Sequence, residues 1–216
     1  MNFFLVFIVF FYFCKISAQE DLGTVDVIGT SPLPGILIDR KDVPHTSQKI
    51  TETQIQENLT KSITDLMNEN FSGISVKDIQ NGAFQKNVDY RGYTASPLLG
   101  ESQGISVYLD GVRINESFGD TVQWELVPEN AIKQIDLMSS NPAFGLNALG
   151  GSLALSTKKG LDFKNKEFVD TLNKYGSFNY TSELMEYGYG TDTFGTYTSC
   201  LLYTSPSPRD RTRSRM

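Results

Sequence analysis

The stretch AIKQIDLMSSNPAFGLNALGGSLALSTKKG, residues 131–160, carries the most specific fold signal in the chain. Its last part, GSLALSTK, alternates apolar and polar residues as a β-strand does. Gly145, Gly150 and Gly151 precede that strand among Asn and Pro, where they permit left-handed or closely approached backbone. We therefore expect a tightly turned connection into a final strand. A Gly-rich loop of an ordinary α+β enzyme would contain the same residue types, so the rest of the chain must decide between these interpretations.

Upstream of this stretch, the sequence predicts a compact α+β domain from residue 44 to residue 160. Thr51 is placed to cap a short helix that ends at Asn58. SITDLMNEN predicts a second helix, because its apolar residues fall on one face at helical spacing. The segment VPENAIKQIDLM begins as a helix, with Pro128 in the first turn, and continues as a strand.

Three further segments of this domain predict strands. GISVKDI alternates from Gly73 onward, and NVDYRGY follows the loop QNGAFQK as another strand. GISVYLDGVRIN, residues 104–115, is the clearest strand pair. In it, Asp110-Gly111 forms either a tight turn or a bulge within one long strand.

Both ends of the chain differ from the predicted domain. NFFLVFIVFFYF near the N-terminus is too short for a membrane-spanning helix and is typical of a secretory signal peptide over residues 1–18. The mature chain is then expected to start at Gln19, while a lipoprotein interpretation of Cys14 stays open despite the bulky residue before it. The tail CLLYTSPSPRDRTRSRM, residues 200–216, resembles a translated sequencing-library adapter, with a natural basic tail as the alternative. On the first interpretation the protein is a fragment.

Charge and cysteine content narrow the function classes. The chain has a formal net charge of −6, and without the signal and the tail the remaining residues carry −10. So acidic a chain is a poor candidate for binding nucleic acid. The two cysteines lie in the signal and in the tail, which leaves no disulfide and no thiol site between them.

Residues 19–43 are extended and interrupted by Pro and Gly, which is typical of a tether. Within them, TVDVI predicts a single strand with Val25 and Val27 on one face. Pro32 and Pro34 separate this strand from the residues behind it, so we expect both of its edges to be unpaired. A strand that docks into the domain's own sheet is the alternative.

Taken in order, TVDVIG, LMNENFSGISV, YRGY, ISVYLDGVRIN and the opening stretch resemble the plug domain of TonB-dependent outer-membrane receptors. The resemblance extends from about residue 22 to residue 160 and rests on the ordered series rather than on any single motif. It implies an α+β plug domain, with a small mixed sheet and short helices. The first strands of a truncated transmembrane antiparallel β-barrel would follow in residues 161–199, where aromatic and small polar residues alternate. The alternative for these residues is an extra hairpin on a soluble domain.

The resemblance also implies partners and a location. The strand Thr24, Val25, Asp26, Val27 and Ile28 would be the TonB box, which pairs with the periplasmic domain of TonB by strand addition. The residues up to Val43 would be a periplasmic linker. The receptor would lie in the outer membrane of a Gram-negative bacterium, in contact with its lipid. It would take up a small-molecule or metal-chelate cargo, such as an iron–siderophore or cobalamin, without a cofactor.

By the same resemblance, two loops lie at the outer apex of the plug, QNGAFQKN and NESFGDTVQW. The loop TASPLLGESQG would turn on the opposite, periplasmic side. Arg91 and Asp110 would make polar contacts with the inner wall of the barrel, with an ordinary surface charge as the alternative for each. The apex residues expected to contact cargo are Phe84, Gln85, Phe118, Asp120, Gln123 and Trp124, and for Phe118 and Trp124 packing against the barrel wall is an equal alternative.

An enzyme has little support from the sequence. The single histidine, His45, has no metal-ligating neighbour at usable spacing, and no nucleophile elbow, P-loop or zinc motif is present. The many carboxylates leave a glycosidase-like pair open. The second hypothesis is a soluble secreted α+β binding module without a barrel.

Overall fold

The computed structural model describes residues 27–29, 37–39, 46–79, 85–139, 142–145, 147–176 and 180–204. The predicted signal peptide, three residues of the predicted TonB box (Thr24, Val25 and Asp26), His45 and Phe84 lie outside these ranges. No helix within the described ranges combines the length and the apolar character that crossing a membrane requires.

The described ranges contain two α-helices, α1 (Glu52–Glu57) and α2 (Ile63–Asn70). They also contain thirteen β-strands. In chain order these are β1 (Val27–Gly29), β2 (Leu37–Asp39), β3 (Ser47–Ile50), β4 (Ile74–Asp78), β5 (Lys86–Tyr90), β6 (Tyr93–Ala95), β7 (Ile105–Leu109), β8 (Val112–Arg113), β9 (Ile132–Met138), β10 (Gly151–Thr157), β11 (Glu167–Tyr175), β12 (Thr181–Gly190) and β13 (Gly195–Thr204). We call the described part of residues 46–160 the α+β domain and strands β11 to β13 the C-terminal sheet.

Both helices begin where the sequence predicts. At α1, the backbone N–H of Thr51 donates to Gln54 Oε1 at 3.0 Å. At α2, Ser62 Oγ accepts a hydrogen bond from the backbone N–H of Asp65 at 3.2 Å. These contacts satisfy backbone donors that the first helical turn leaves without partners. The apolar faces of the helices then pack into the core of the domain, where Ile63, Leu66 and Met67 of α2 are buried.

The main sheet of the described α+β domain has the strand order β3-β9-β10-β7-β8. Strand β10 pairs antiparallel with β9 and parallel with β7, so the sheet is mixed, as predicted. A smaller sheet with the order β4-β5-β6 packs with it. The core between these elements is apolar and includes Ile50, Met67, Val88, Val107, Ile135, Leu153 and Leu155.

Two tight turns use residues with positive φ. Asp110 and Gly111, at φ 48° and 85°, connect β7 to β8, and Arg91 and Gly92, at φ 51° and 88°, connect β5 to β6. Positive φ at both central residues is the conformation that two-residue hairpins favour. At Asp110-Gly111 the turn is present rather than the bulge. NVDYRGY, predicted as one strand, is therefore two strands with a turn between them.

Gly145 and Gly150 confirm the expectation for the opening stretch. Gly145 has φ 76°, and a Cβ added at Gly150 would lie 2.5 Å from the Tyr93 ring. The connection into β10 therefore combines left-handed backbone with close packing that a larger residue would disturb.

The expectation that the strand near the N-terminus is unpaired on both edges is wrong for its described part. Strand β1 pairs antiparallel with β2, with Val27 opposite Asp39 and Gly29 opposite Leu37. In the sequence, Pro32 and Pro34 fall between the residues of these two strands. Proline lacks the N–H that a ladder needs, but between two strands it leaves their pairing intact.

After residue 160 the described chain forms the open antiparallel sheet β11-β12-β13. Buried and exposed residues alternate along β12. One face, with Ser182, Leu184 and Glu186, is buried, whereas Met185 and Tyr187 on the other face are exposed. Strand β13 continues through Cys200 to Thr204, past the predicted start of the adapter-derived tail.

Replacing Leu153 by Ala should lower the free energy of unfolding by about 2–5 kcal/mol, because the side chain is fully buried at the centre of β10. Urea denaturation of a protein comprising residues 19–160 measures this change. Leu99→Ala is the matched control, since Leu99 is exposed and should change stability by less than about 0.5 kcal/mol. Equal effects of the two substitutions would contradict the position of β10 in the core.

Candidate functional site: a surface made by two loops

Two loops of the α+β domain, residues 96–103 and residues 115–123, lie side by side. The backbone N–H of Val122 donates to the Ser96 carbonyl at 3.0 Å. Leu99 lies so close to Gly119 that a Cβ at that glycine would collide with the leucine side chain. We call the exposed surface of these two loops the loop-pair surface.

This arrangement corrects the prediction that the loop TASPLLGESQG turns on the side opposite to NESFGDTVQW. Thr94 and Gln103 form a parallel bridge, so the segments before and after the first loop run in the same direction. The loop between them therefore closes on itself and does not cross the domain. The hydrogen bond from the Val122 N–H to the Ser96 carbonyl keeps this loop beside the second loop.

The first loop is shaped by the side-chain amide of Gln103. Its Nε2 donates to the carbonyls of Ser96 and Leu98, both at 3.1 Å. Its Oε1 accepts from the Ser96 backbone N–H at 3.1 Å. A single amide thus satisfies three backbone groups of a loop that has no regular ladder, which defines the loop conformation.

Asn115 has the same role in the second loop. Its Oδ1 accepts from the Val107 N–H at 2.7 Å, and its Nδ2 donates to the carbonyls of Ile105 at 3.0 Å and Asp120 at 3.2 Å. These bonds attach the loop to β7. Arg113 forms an ion pair with Asp120 at 2.6 Å, which holds the far side of the loop.

The position of Asn115 also places the loop-pair surface within the domain. Asn115 contacts Ile105 at the start of β7, whereas the turn at Asp110 follows the end of that strand. Asp110 accepts from the N–H of Thr157, at the end of β10 next to the C-terminal sheet. The loop-pair surface therefore lies at the end of β7 that is remote from the junction with the C-terminal sheet.

Apolar side chains protrude from both loops. Phe118 is 79% exposed and Leu99 is 60% exposed. The acidic residues Glu101 and Glu116 are exposed beside them. The loops hold these side chains on a backbone braced by Gln103 and Asn115, which is the arrangement expected of a recognition surface rather than of core packing.

Trp124 is predicted to contact cargo, but the structure places it inside the domain. It is 3% exposed, it belongs to the apolar core, and its indole N–H donates to the Ala95 carbonyl at 2.9 Å. The aromatic ring is large enough to fill the space between the sheets while its one polar atom finds a partner. The structure therefore gives Trp124 a packing role within the domain.

The other predicted cargo residues occupy different environments. Phe118 is exposed, Asp120 is paired with Arg113, and Gln123 is partly buried. Gln85 is partly buried outside the loop-pair surface, and its carbonyl accepts from the Ile79 N–H at 3.0 Å.

Of the two predicted barrel contacts, Asp110 bonds within its own domain. Its carboxylate accepts from the Thr157 backbone N–H at 3.0 Å and from the Thr157 hydroxyl at 2.6 Å. Arg91 is exposed in a turn whose Gly92 carbonyl accepts from Ser102 Oγ at 3.4 Å. The turn that carries Arg91 thus adjoins the first loop of the surface.

Sequence reasoning missed Leu99, Gln103 and Asn115 as site residues. Asn115 belongs to the predicted apex loop, but the sequence shows no pattern that distinguishes a loop amide bonded to three backbone groups from a solvated one. Leu99 is one of two adjacent leucines in an otherwise polar loop, and this apolar pair was the one available signal.

Near the loop-pair surface, the pKa shift of Lys77 has a local cause. The pKa of Lys77 is raised because its ammonium group donates a hydrogen bond to Asp89, 2.8 Å away, with smaller contributions from the charges of Asp89 and Glu101. Among the described residues, no group of three or more His, Cys, Asp or Glu side chains is arranged to hold a metal ion.

Comparisons with known proteins agree with this architecture. A family model described as TonB-dependent Receptor Plug Domain matches residues 39–152, just over half of the chain. The crystal structure of the ferric citrate transporter FecA in the unliganded form is similar in fold, with a TM-score of 0.55 and 19% sequence identity. That similarity covers 77% of this chain and 26% of the FecA chain, so the present chain spans only a part of the length of FecA. No match was found among curated proteins.

Replacing Gln103 by Leu should loosen the first loop, because three backbone groups lose their side-chain partner at once. Hydrogen exchange at Ser96 should become about tenfold faster, which corresponds to about 1.4 kcal/mol of local stability. Glu101→Gln is the control, since Glu101 is exposed in the same loop. Unchanged exchange at Ser96 in Gln103→Leu would show that the amide does not define the loop.

Proposed function

Because this chain belongs to the TonB-dependent receptor plug domain family, we propose that it is the N-terminal part of an outer-membrane receptor that imports a scarce nutrient with energy delivered through TonB. The family is one of receptors and transporters rather than enzymes. In this proposal the α+β domain closes a β-barrel, and the cargo binds to the outer side of the domain before a path opens.

The observation that carries the proposal is the loop-pair surface, with Phe118 and Leu99 exposed on two mutually bonded loops. Its position remote from the junction supports an outward orientation, since in this proposal the junction is on the periplasmic side. An apolar surface on a braced backbone suits a cargo that buries part of its own apolar area, such as an organic metal chelate. Arg91, in the adjoining turn, would add a positive charge at the edge of this surface.

We assign the contact with TonB to residues 24–28, as the sequence predicts. Strand β1 is paired with β2 on one edge, and its other edge is not paired within the described residues. A partner strand can add to that edge through main-chain hydrogen bonds, which tolerate varied side chains. In this proposal β1 and β2 together present the edge to TonB, in place of an isolated strand.

The C-terminal sheet would begin the barrel. Its strands have nine and ten residues, which is the length of a tilted strand that crosses a bilayer. Along β12 the face with Met185 and Tyr187 would contact lipid, while the face with Ser182 and Glu186 covers the α+β domain. This alternation is what a plugged barrel in the outer membrane requires.

Replacing Val27 by Pro should abolish energy-dependent uptake by the full-length receptor and leave cargo binding unchanged. Proline removes a main-chain donor from the strand that TonB would extend. Uptake of labelled cargo by whole cells, with binding measured on de-energised cells, separates the two steps. Val27→Thr retains the N–H and serves as the control. Normal uptake by Val27→Pro would disprove the assignment of this strand to TonB.

Replacing Phe118 by Ala should weaken cargo binding about tenfold, since an exposed aromatic anchor contributes about 1.4 kcal/mol or more at a recognition surface. The dissociation constant of the purified receptor for its cargo measures this effect. Val112→Ala removes a similarly exposed apolar side chain at the other end of β7 and should leave the affinity unchanged. Equal affinity of Phe118→Ala and the unmodified receptor would exclude the loop-pair surface as the cargo site.

A further inference from the structure

A buried charge pair joins the α+β domain to the C-terminal sheet directly after β10. Lys158 Nζ lies 2.8 Å from Glu186 Oε2, and the two side chains are 4% and 2% exposed. The Tyr197 hydroxyl donates to the second carboxylate oxygen at 3.1 Å. The backbone N–H of Lys158 donates to the Ala131 carbonyl at 2.8 Å, so the lysine is fixed to the domain while its partners belong to the sheet.

Aromatic rings enclose this pair. The Phe168 and Tyr197 rings each have their centroid 5.9 Å from Lys158 Nζ. Phe163 stacks on both rings, at 5.0 Å from Phe168 and 6.1 Å from Tyr197. Gly188 permits this approach, because a Cβ there would lie 2.7 Å from the Phe163 ring. The charges are therefore held away from water at one defined point.

Elsewhere the boundary between the domain and the sheet is uneven: Gly160 packs closely against the Gly195 backbone, whereas another part of the boundary is open. A cavity of about 440 Å³ lies between them, with Lys86 and Glu129 on the domain side and Lys174 and Tyr203 on the sheet side. Beside the cavity, Lys174 Nζ donates to the Leu59 carbonyl at 2.7 Å. The cavity thus interrupts the interface, and beside it the domain is held by a polar contact.

Buried ion pairs add little net stability, but they demand good geometry, and removing one partner leaves an uncompensated buried charge. We propose that Lys158 and Glu186 are positioning residues that set how the α+β domain is seated against the C-terminal sheet. This inference rests on the proposed function, in which the sheet starts the barrel that the domain closes. The pair then acts as a fixed point at the end of the domain where β10 ends and β9 begins.

The test uses the full-length receptor purified in detergent and inserted into planar bilayers, where a badly seated domain leaves a conducting path. Lys158→Met and Glu186→Gln should each raise the ion conductance about tenfold, because each leaves its partner buried without a counter-charge. The exchanged variant K158E/E186K restores the pair and should return the conductance to within about twofold of the unmodified receptor. Lys133→Met is the matched control, since Lys133 forms a more exposed pair with Asp162 at the same junction. The receptor with this substitution should not show a raised conductance.

The double variant K158M/E186L separates positioning from packing, because it fills the same volume without charges. We expect it to keep the thermal stability of the receptor and still to leak. The positioning role alone would be overturned if the K158M/E186L receptor had the conductance of the unmodified receptor. It would also be overturned if the Lys158→Met receptor had that conductance and still imported cargo. An unmodified receptor that forms no plugged pore would overturn the proposed function and this inference together.

Discussion

The burial of β10 between β9 and β7 is the constraint on which the rest of the structure depends. Leu153 and Leu155 have almost no exposed area, so the strand cannot shift its register without exposing its apolar residues. Its parallel pairing with β7 places the start of β7, and the loops beside it, at one end of the domain. The continuation of the same strand brings Lys158 to the C-terminal sheet at the other end.

The two ends of the domain are held by different physical means. At the loop-pair surface, the neutral amides of Gln103 and Asn115 satisfy backbone groups and leave apolar side chains exposed to solvent. At the junction, a charge pair is enclosed by aromatic rings and closely approached glycines. The first arrangement allows a ligand to be met by a preformed surface. The second places a buried charge pair at a defined point of the junction, where its geometry is demanding.

The candidate site was only partly predictable. Phe118 was identified because an aromatic residue in a polar loop stands out, and it is exposed as expected. Trp124 stands out equally and is buried, since sequence does not show which of two aromatic residues six positions apart fills the core. Asp110 lies in a tight turn, one of the two conformations that the sequence allows, yet its carboxylate bonds to Thr157, which is 47 residues away in the chain. Partners so remote in sequence leave no local pattern.

Local chemistry was sufficient for much of the architecture. Thr51 and Ser62 begin the helices, Asp110-Gly111 forms the hairpin turn, and the glycines before β10 allow its close approach. The sequence by itself determined the helix starts, the glycines before β10 and the order of the elements, because helix caps, turns and alternation depend on neighbouring residues, while it left Asp110-Gly111 open between a turn and a bulge. The tertiary structure alone decided that β1 pairs with β2, that two loops share one surface, and that Lys158 meets Glu186. Each of these depends on which segments become neighbours once the apolar core closes.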